Sequence, residues 1–378
     1  MRFAEFRSSL VEKKLGRTFN HLEDLVFFHG TSGTVEALEH LKEMATEEGS
    51  RTIRMKWDGN PQIYWGREVP GGPLILTGHN AWTRGAKATT KEDIIDFIVN
   101  KSGNPKTPAD VAARQEFAES FANLYNLFDE ATPSDFVGFV YADGLFLEQP
   151  NLNEGVYEFS PNPRSATTYH VKEGSNLGQR IAKAKVMAVG HAYFKEFGMP
   201  DYAQEPKSRF DEFNSNSDLI ILGPVYNSTP VKVNLSEVNE IEEYTKQHAK
   251  QIDTFLESVN GLSDLKNIIY TYVNQTAKKK QLESLSSDHF FDWIKESKVS
   301  TNKQKKIHEL NQQHNNVMDI IFTSVKRIQQ AKDHIIEQVE GKHGDIWDTN
   351  GEGRVRYACE QKKHGHIKLV PRKRWVPA

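Results

Sequence analysis

The chain has 378 residues, a formal net charge of −3 and a single cysteine, Cys359. The length exceeds that of one ordinary domain, so two structural units are expected, and a charge this close to neutral leaves any nucleic-acid contact to local patches. One cysteine excludes an intramolecular disulfide and a multi-cysteine zinc site. With no signal-like start and no apolar run long enough to span a bilayer, the expectation is a soluble cytoplasmic protein without a membrane partner.

Residues 3–15 and 34–48 read as helices, the second because Val35, Leu38, Leu41 and Met44 recur at helical spacing. From 52 to 78 the texture turns β, with short strands expected at 52–55, 62–65 and 74–76, separated by Asn60-Pro61 and Pro70-Gly71-Gly72. Helices are predicted at 91–100 and 108–128, the latter opened by Thr107-Pro108-Ala109-Asp110. Strands follow at 136–147, 155–159, 167–171, 184–194 and 219–222. From Ser236 to Lys342 proline is scarce, and Val238 and Ile241, then Val317, Ile320, Ile321, Val325 and Ile328, recur at helical intervals. Asn260-Gly261 breaks this run and Ser286-Ser287-Asp288 restarts it. β texture returns at 351–357 and 364–370. A helical unit enclosed by β segments reads as an insertion into one α+β domain, with 1–235 and 343–378 as its two parts and 236–342 as the insertion.

Five stretches carry the chemistry: Lys56-Trp57-Asp58-Gly59, Trp82-Thr83-Arg84-Gly85, Tyr141-Ala142-Asp143-Gly144-Leu145, Gly351-Glu352-Gly353-Arg354-Val355 and His366-Ile367-Lys368. A lysine at a strand end with Asp-Gly behind it suits an amine nucleophile, provided that burial or nearby positive charge favours the neutral form. The same tetrapeptide also reads as an ordinary turn, and Asp143-Gly144 as a hairpin turn, so order and strand placement carry the argument.

In these motifs and their order the chain resembles the covalent nucleotidyltransferases, the superfamily of ATP-dependent DNA and RNA ligases and mRNA capping enzymes. It is also similar to a tailed-phage group carrying Lys-x-Asp-Gly-x-Pro, which Asn60-Pro61 completes. The resemblance implies a ligase-type domain of antiparallel sheets flanked by helices, and Leu369–Ala378 leaves too little chain for a C-terminal OB domain. It implies that Lys56 attacks the α-phosphorus of ATP to form lysyl-AMP, within a pocket that includes Asp58 and Gly59. Arg84 would touch nucleotide or polynucleotide phosphate, Asp143 the ribose or a metal, and Lys368 the phosphate. Glu352, with Asp143, would hold Mg²⁺ or Mn²⁺, and His191 or else Phe159 would stack on the adenine. The chain departs from the family pattern at Pro61, Asp143 and His366, where arginine, glutamate and lysine are usual.

The second substrate implied is DNA or RNA, as ends or nicks, bound by a monomer in the host cytoplasm if the protein is phage-encoded. Basic clusters at Lys278-Lys279-Lys280, residues 303–306, Lys362-Lys363 and Arg372-Lys373-Arg374-Trp375 would supply phosphate contacts, and Trp375 a stacking ring. The alternatives are a nucleotidyltransferase with a non-polynucleotide acceptor, and a non-catalytic nucleic-acid-binding phage protein.

Overall fold

The structure, a computed structural model, describes residues 20–55, 57–101, 107–161, 167–200, 205–206, 210–227, 230–258, 262, 264–339, 345–349, 354–357 and 366–372. In chain order the elements are β1 (Asn20–His21), α1 (Asp24–Met44), α2 (Glu47–Arg51), β2 (Ile53–Met55), β3 (Gln62–Arg67), β4 (Ile75–Gly78), α3 (His79–Thr83) and α4 (Lys91–Asp96). Then come α5 (Pro108–Ala122), α6 (Leu124–Ala131), β5 (Gly138–Phe146), β6 (Leu152–Asn153), β7 (Val156–Phe159), β8 (Thr168–Lys172), α7 (Asn176–Ile181), β9 (Val186–Phe194), β10 (Glu205–Pro206) and β11 (Leu219–Leu222). The chain continues with α8 (Leu235–Ser258), α9 (Leu265–Lys278), α10 (Ser287–Lys295), α11 (Thr301–Gln313), α12 (Val317–Val339), β12 (Ile346–Thr349), β13 (Arg354–Tyr357) and β14 (His366–Leu369). The expected helix at 3–15 lies outside the described residues. The protein is thus a mixed α+β chain of helices and largely antiparallel sheets.

Local signals act where the sequence placed them. Thr107 accepts from the Asp110 N–H while the Asp110 carboxylate accepts from the Thr107 N–H, a reciprocal cap with Pro108 in the first turn. Ser286 caps α10 by accepting from the His289 N–H. Helix α1 begins ten residues earlier than residue 34. Gly30 (φ +65°) breaks the helical path within it, and the Thr31 N–H donates to Asp253 of α8 at 2.8 Å. A turn-like Gly-Thr-Ser-Gly run is therefore held inside a helix by a tertiary bond, which periodicity does not reveal.

By contacts the chain divides into unit 1 (residues 1–56, 226–341 and 352–378) and unit 2 (57–225 and 342–351). In unit 1 a four-stranded sheet runs β1-β14-β13-β2, with β13 antiparallel to both neighbours and β1 parallel to β14. Its residues Ile53, Ile367 and Leu369 enter one core with α1 (Leu38, Leu41), α8 (Ile241, Phe255), α9 (Tyr272) and α12 (Phe322, Ile328). The helical run expected at 236–342 therefore shares its core with both flanks of the chain.

Unit 2 contains a six-stranded sheet, β10-β9-β5-β3-β4 with β11 parallel to β9, and a four-stranded antiparallel sheet, β12-β8-β7-β6. On the larger sheet Ile63, Trp65, Val140 and Ala142 alternate onto the face covered by Phe121 of α5 and Phe128 of α6. Tyr64 and Phe139 point to the other face, into an aromatic cluster with Trp82 and Phe194. That second face also carries the polar groups described next.

Candidate functional site

Strand alternation puts Gln62, Tyr141 and Asp143 on the same face as Tyr64, because Gln62 pairs with Asp143 and Tyr64 with Tyr141. On the neighbouring strand Tyr141 pairs with Ala192 but Ala142 with Gly190, so His191 is the extra residue of a bulge in β9. A bulge re-aims the side chain it carries. Here His191 Nε2 lies 3.0 Å from Asp143 Oδ2. The other carboxylate oxygen accepts from the Tyr141 hydroxyl at 3.0 Å, and that hydroxyl accepts from Gln62 Nε2 at 2.9 Å. Burial, then the Asp143 charge and the neighbouring Tyr64, push the Tyr141 phenol far above its ordinary range, so it stays a donor. Asp143 is 13% exposed and His191 25%, so the row is a half-buried carboxylate with a polar edge open to solvent.

The Trp57-Asp58-Gly59-Asn60-Pro61 loop lies on this row. The Asn60 N–H donates to the Gly144 carbonyl at 2.9 Å, and the Gly144 N–H donates to the Pro61 carbonyl at 2.8 Å. These two bonds carry the β3–β5 ladder past Gln62 into the loop. Gly59 is required by close approach: a Cβ there would sit 2.5 Å from the Gly144 carbonyl oxygen and 2.6 Å from Asp143 Cβ. The Asp58 N–H donates to the Tyr169 hydroxyl of β8 at 2.6 Å, and the Trp57 ring packs on Tyr169 at 4.6 Å. Two motifs more than eighty residues apart, Asp58-Gly59 and Asp143-Gly144, are thereby in direct contact.

Of the sequence-predicted residues, Gly59, Asp143 and His191 come together in unit 2, and Asp58, next to Gly59, is held through its N–H by Tyr169. Phe159 is buried between Phe146 (5.4 Å) and Tyr169 (5.7 Å) and supports the loop through Tyr169 as a core ring. Arg84, expected in a short turn, closes helix α3; its exposed guanidinium donates to the Lys101 carbonyl at 2.6 Å. Lys56 and Glu352 lie outside the described residues. Gln62, Tyr141 and Tyr169 were not singled out from sequence, since cross-strand partners leave no local pattern.

Lys368 belongs to unit 1, where it pairs with Val355 and Val355 pairs with Arg54. Arg54 of β2 and Lys368 of β14 are both register partners of residue 355 and alternate with Ile53, Ile367 and Leu369, so they lie on the sheet face opposite those core residues. Met55, which precedes Lys56, pairs with Arg354, two residues after Glu352. Arg372, expected in a solvent-facing basic patch, is instead fully buried and bonded to Asp24, Glu23 and Asn274; the unsatisfied cost of those carboxylates outweighs its hydration. Lys373, Arg374 and Trp375 lie outside the described residues.

Among the described residues no group of three or more His, Cys, Asp or Glu is placed to hold a metal ion, and no helix is long and apolar enough to cross a membrane. Residues 17–72 and 106–375 match the description "Family of unknown function (DUF6267)". The chain belongs to that family. No curated protein and no solved structure matches the chain.

Proposed function

We propose that this DUF6267 protein is an ATP-dependent polynucleotide ligase that works through a lysyl-AMP intermediate at Lys56. The observation that carries the reading is the seating of the Lys-x-Asp-Gly loop on the acidic strand: Gly59 against Asp143, the paired Asn60–Gly144 and Gly144–Pro61 bonds, and His191 on the Asp143 carboxylate. A plain surface turn has no need of a glycine pressed against a half-buried acid. The pairing of Met55 with Arg354, and of Val355 with Lys368, supports the same reading, since it joins the strands that adjoin the first, fourth and fifth motifs.

In this reading the neutral Lys56 amine attacks the α-phosphorus of ATP, the bond to the leaving pyrophosphate breaks and a phosphoramidate forms. A 5′-phosphate oxygen of DNA or RNA then takes the AMP and restores the amine, and a 3′-hydroxyl displaces AMP to seal the strand. Asp143 and His191 hold hydrogen-bonding groups for the nucleotide. Each Asp143 oxygen keeps a lone pair beyond its Tyr141 or His191 bond, so this carboxylate fits a share of a divalent ion. When bound, such an ion shields triphosphate charge.

The test is covalent labelling. Protein incubated with α-labelled ATP and Mg²⁺ gains one AMP by intact mass and Lys56→Ala gains none; equal labelling of the two proteins ends the proposal.

A further inference from the structure

A cleft of about 760 Å³ opens among helices α9, α10 and α11 of unit 1, within the size range of small-ligand pockets. One wall is the indole of Trp293. Its N–H donates to Gln275 Oε1 at 2.8 Å, and its ring is backed by Tyr272 at 5.3 Å and Phe290 at 5.8 Å, so the half-buried ring is fixed in place. Lys279 and Lys298 line the cleft, both exposed, and among the described residues neither has an ion-pair partner. Two acids also line it. Asp264 is neutralised by Lys303, which reaches both of its oxygens at 2.9 Å. Only Glu296 then stands against Lys279 and Lys298, and the local balance is positive although the chain as a whole is acidic.

A fixed aromatic face beside unpaired lysines suits an unstacked base and its phosphates better than it suits an apolar ligand, which offers the ammonium groups no charge-assisted contact. We propose that this cleft binds an unpaired nucleotide of a single-stranded nucleic-acid end, with the base against Trp293 and the flanking phosphates at Lys279 and Lys298. The inference rests on the ligase reading for its role, by assigning the helices of unit 1 the grip on the polynucleotide.

The test uses the full chain carrying Lys56→Ala, so that no AMP transfer intervenes, and a fluorescent oligothymidylate followed by anisotropy. Binding weakens with salt, Trp293→Ala weakens it about tenfold or more, and Trp293→Phe stays close to the parent protein. The double variant K279E/K298E weakens binding and lowers the slope of log K against log[salt] by about 1.4, from about 0.7 for each phosphate that is no longer neutralised. Circular dichroism confirms folding; if Trp293→Ala does not fold, the lysine pair decides. Parent-like binding by both variants overturns the inference, as does no binding at all or equal competition by poly-glutamate, which has charge but no bases. Failure of the ligase reading is separate: wild-type protein then takes no label from ATP while Trp293-dependent binding persists.

Discussion

Gly59 is the residue at which the candidate site is most sensitive to a single methyl group. Its missing side chain leaves room for the Gly144 carbonyl and Asp143 Cβ, both parts of a central strand that cannot give way as the tip of a flexible side chain can. Gly59→Ala therefore lifts the loop from β5 and strains the Asn60–Gly144 and Gly144–Pro61 bonds. The expected cost is about 1–3 kcal/mol of stability, as for overpacking, read as a lower urea midpoint. AMP uptake at Lys56 should fall far more, about 100-fold, because a displacement of the order of an ångström at a reacting group is enough for that. A variant with parent-like uptake would show that the loop and Asp143 do not act together. Legibility at this scale was uneven. Asp58, Gly59 and Asp143 could be read because a turn glycine and an acid in an apolar strand are locally unusual. The Tyr141 and Gln62 partners could not, since they follow from the β3–β5 register, and neither could the β9 bulge that aims His191.

At the scale of elements, the join of β1, α1, α9, α12 and the chain after β14 is ionic. Lys332 of α12 reaches both Glu23 oxygens at 2.7 Å, and Arg372 bridges Glu23, Asp24 and Asn274, all within the buried interior of unit 1. His21 lies beside them, its Nδ1 3.3 Å from Lys332 Nζ. Burial first, then Lys332, Arg372 and Lys368, hold its pKa well below the ordinary histidine value, so the ring is neutral in the fold. Below about pH 6.5 the unfolded chain takes up a proton at this position and the folded chain does not, so stability is full above that pH and falls as the pH drops, by up to about 1.4 kcal/mol per unit. Asp24 acts in the opposite sense. Burial, opposed by Arg372 and aided by Glu23, pushes it up to about 6, so the folded state gains a proton first as the pH falls from there. Glu23, held low by Lys332 and Arg372 against its burial, matters only in more acid solution. Between pH 7.5 and 6 the His21 effect is thus the larger, with Asp24 opposing it increasingly as the pH nears 6. The urea midpoint should fall across that interval, and His21→Gln should flatten the fall; an unchanged slope in that variant would remove His21 from the linkage. None of this cluster was visible in sequence, where Arg372 reads as one of a basic run. The elements themselves were more legible: Thr107 and Ser286 capped helices as their spacing requires, whereas β12, four residues with no strong alternation, was set only by its pairing to β8.

For the whole molecule the informative property is how the two units use the chain. Unit 1 draws on three separate stretches and unit 2 on one long stretch plus residues 342–351. The sequence marked the change of texture near residue 235 correctly as the start of the helices, because periodicity is local. It could not show that α8 packs on α1 and that the same core takes in Ile53, Ile367 and Leu369, because which apolar faces meet is decided over hundreds of residues. The consequence is testable with fragments. Residues 235–341 alone keep α8 to α12 but lose Leu22, Leu25, Phe27, Leu38, Leu41, Ile53, Ile367 and Leu369 from their core, and they expose apolar faces of α8 and α12 that α1 and the sheet cover in the intact chain. Exposing that much apolar surface removes a large part of the roughly 5–15 kcal/mol that holds a domain together. This fragment should therefore melt without a cooperative transition by circular dichroism. Residues 57–225 keep the whole of the core built from Ile63, Trp65, Phe121, Phe128 and Ala188 and lose only the edge strand β12. That fragment should unfold cooperatively, at a lower temperature than the intact chain. The opposite pattern, a helical fragment that melts sharply beside a β fragment that does not, would show that residues 235–341 carry a sufficient core without the flanking segments.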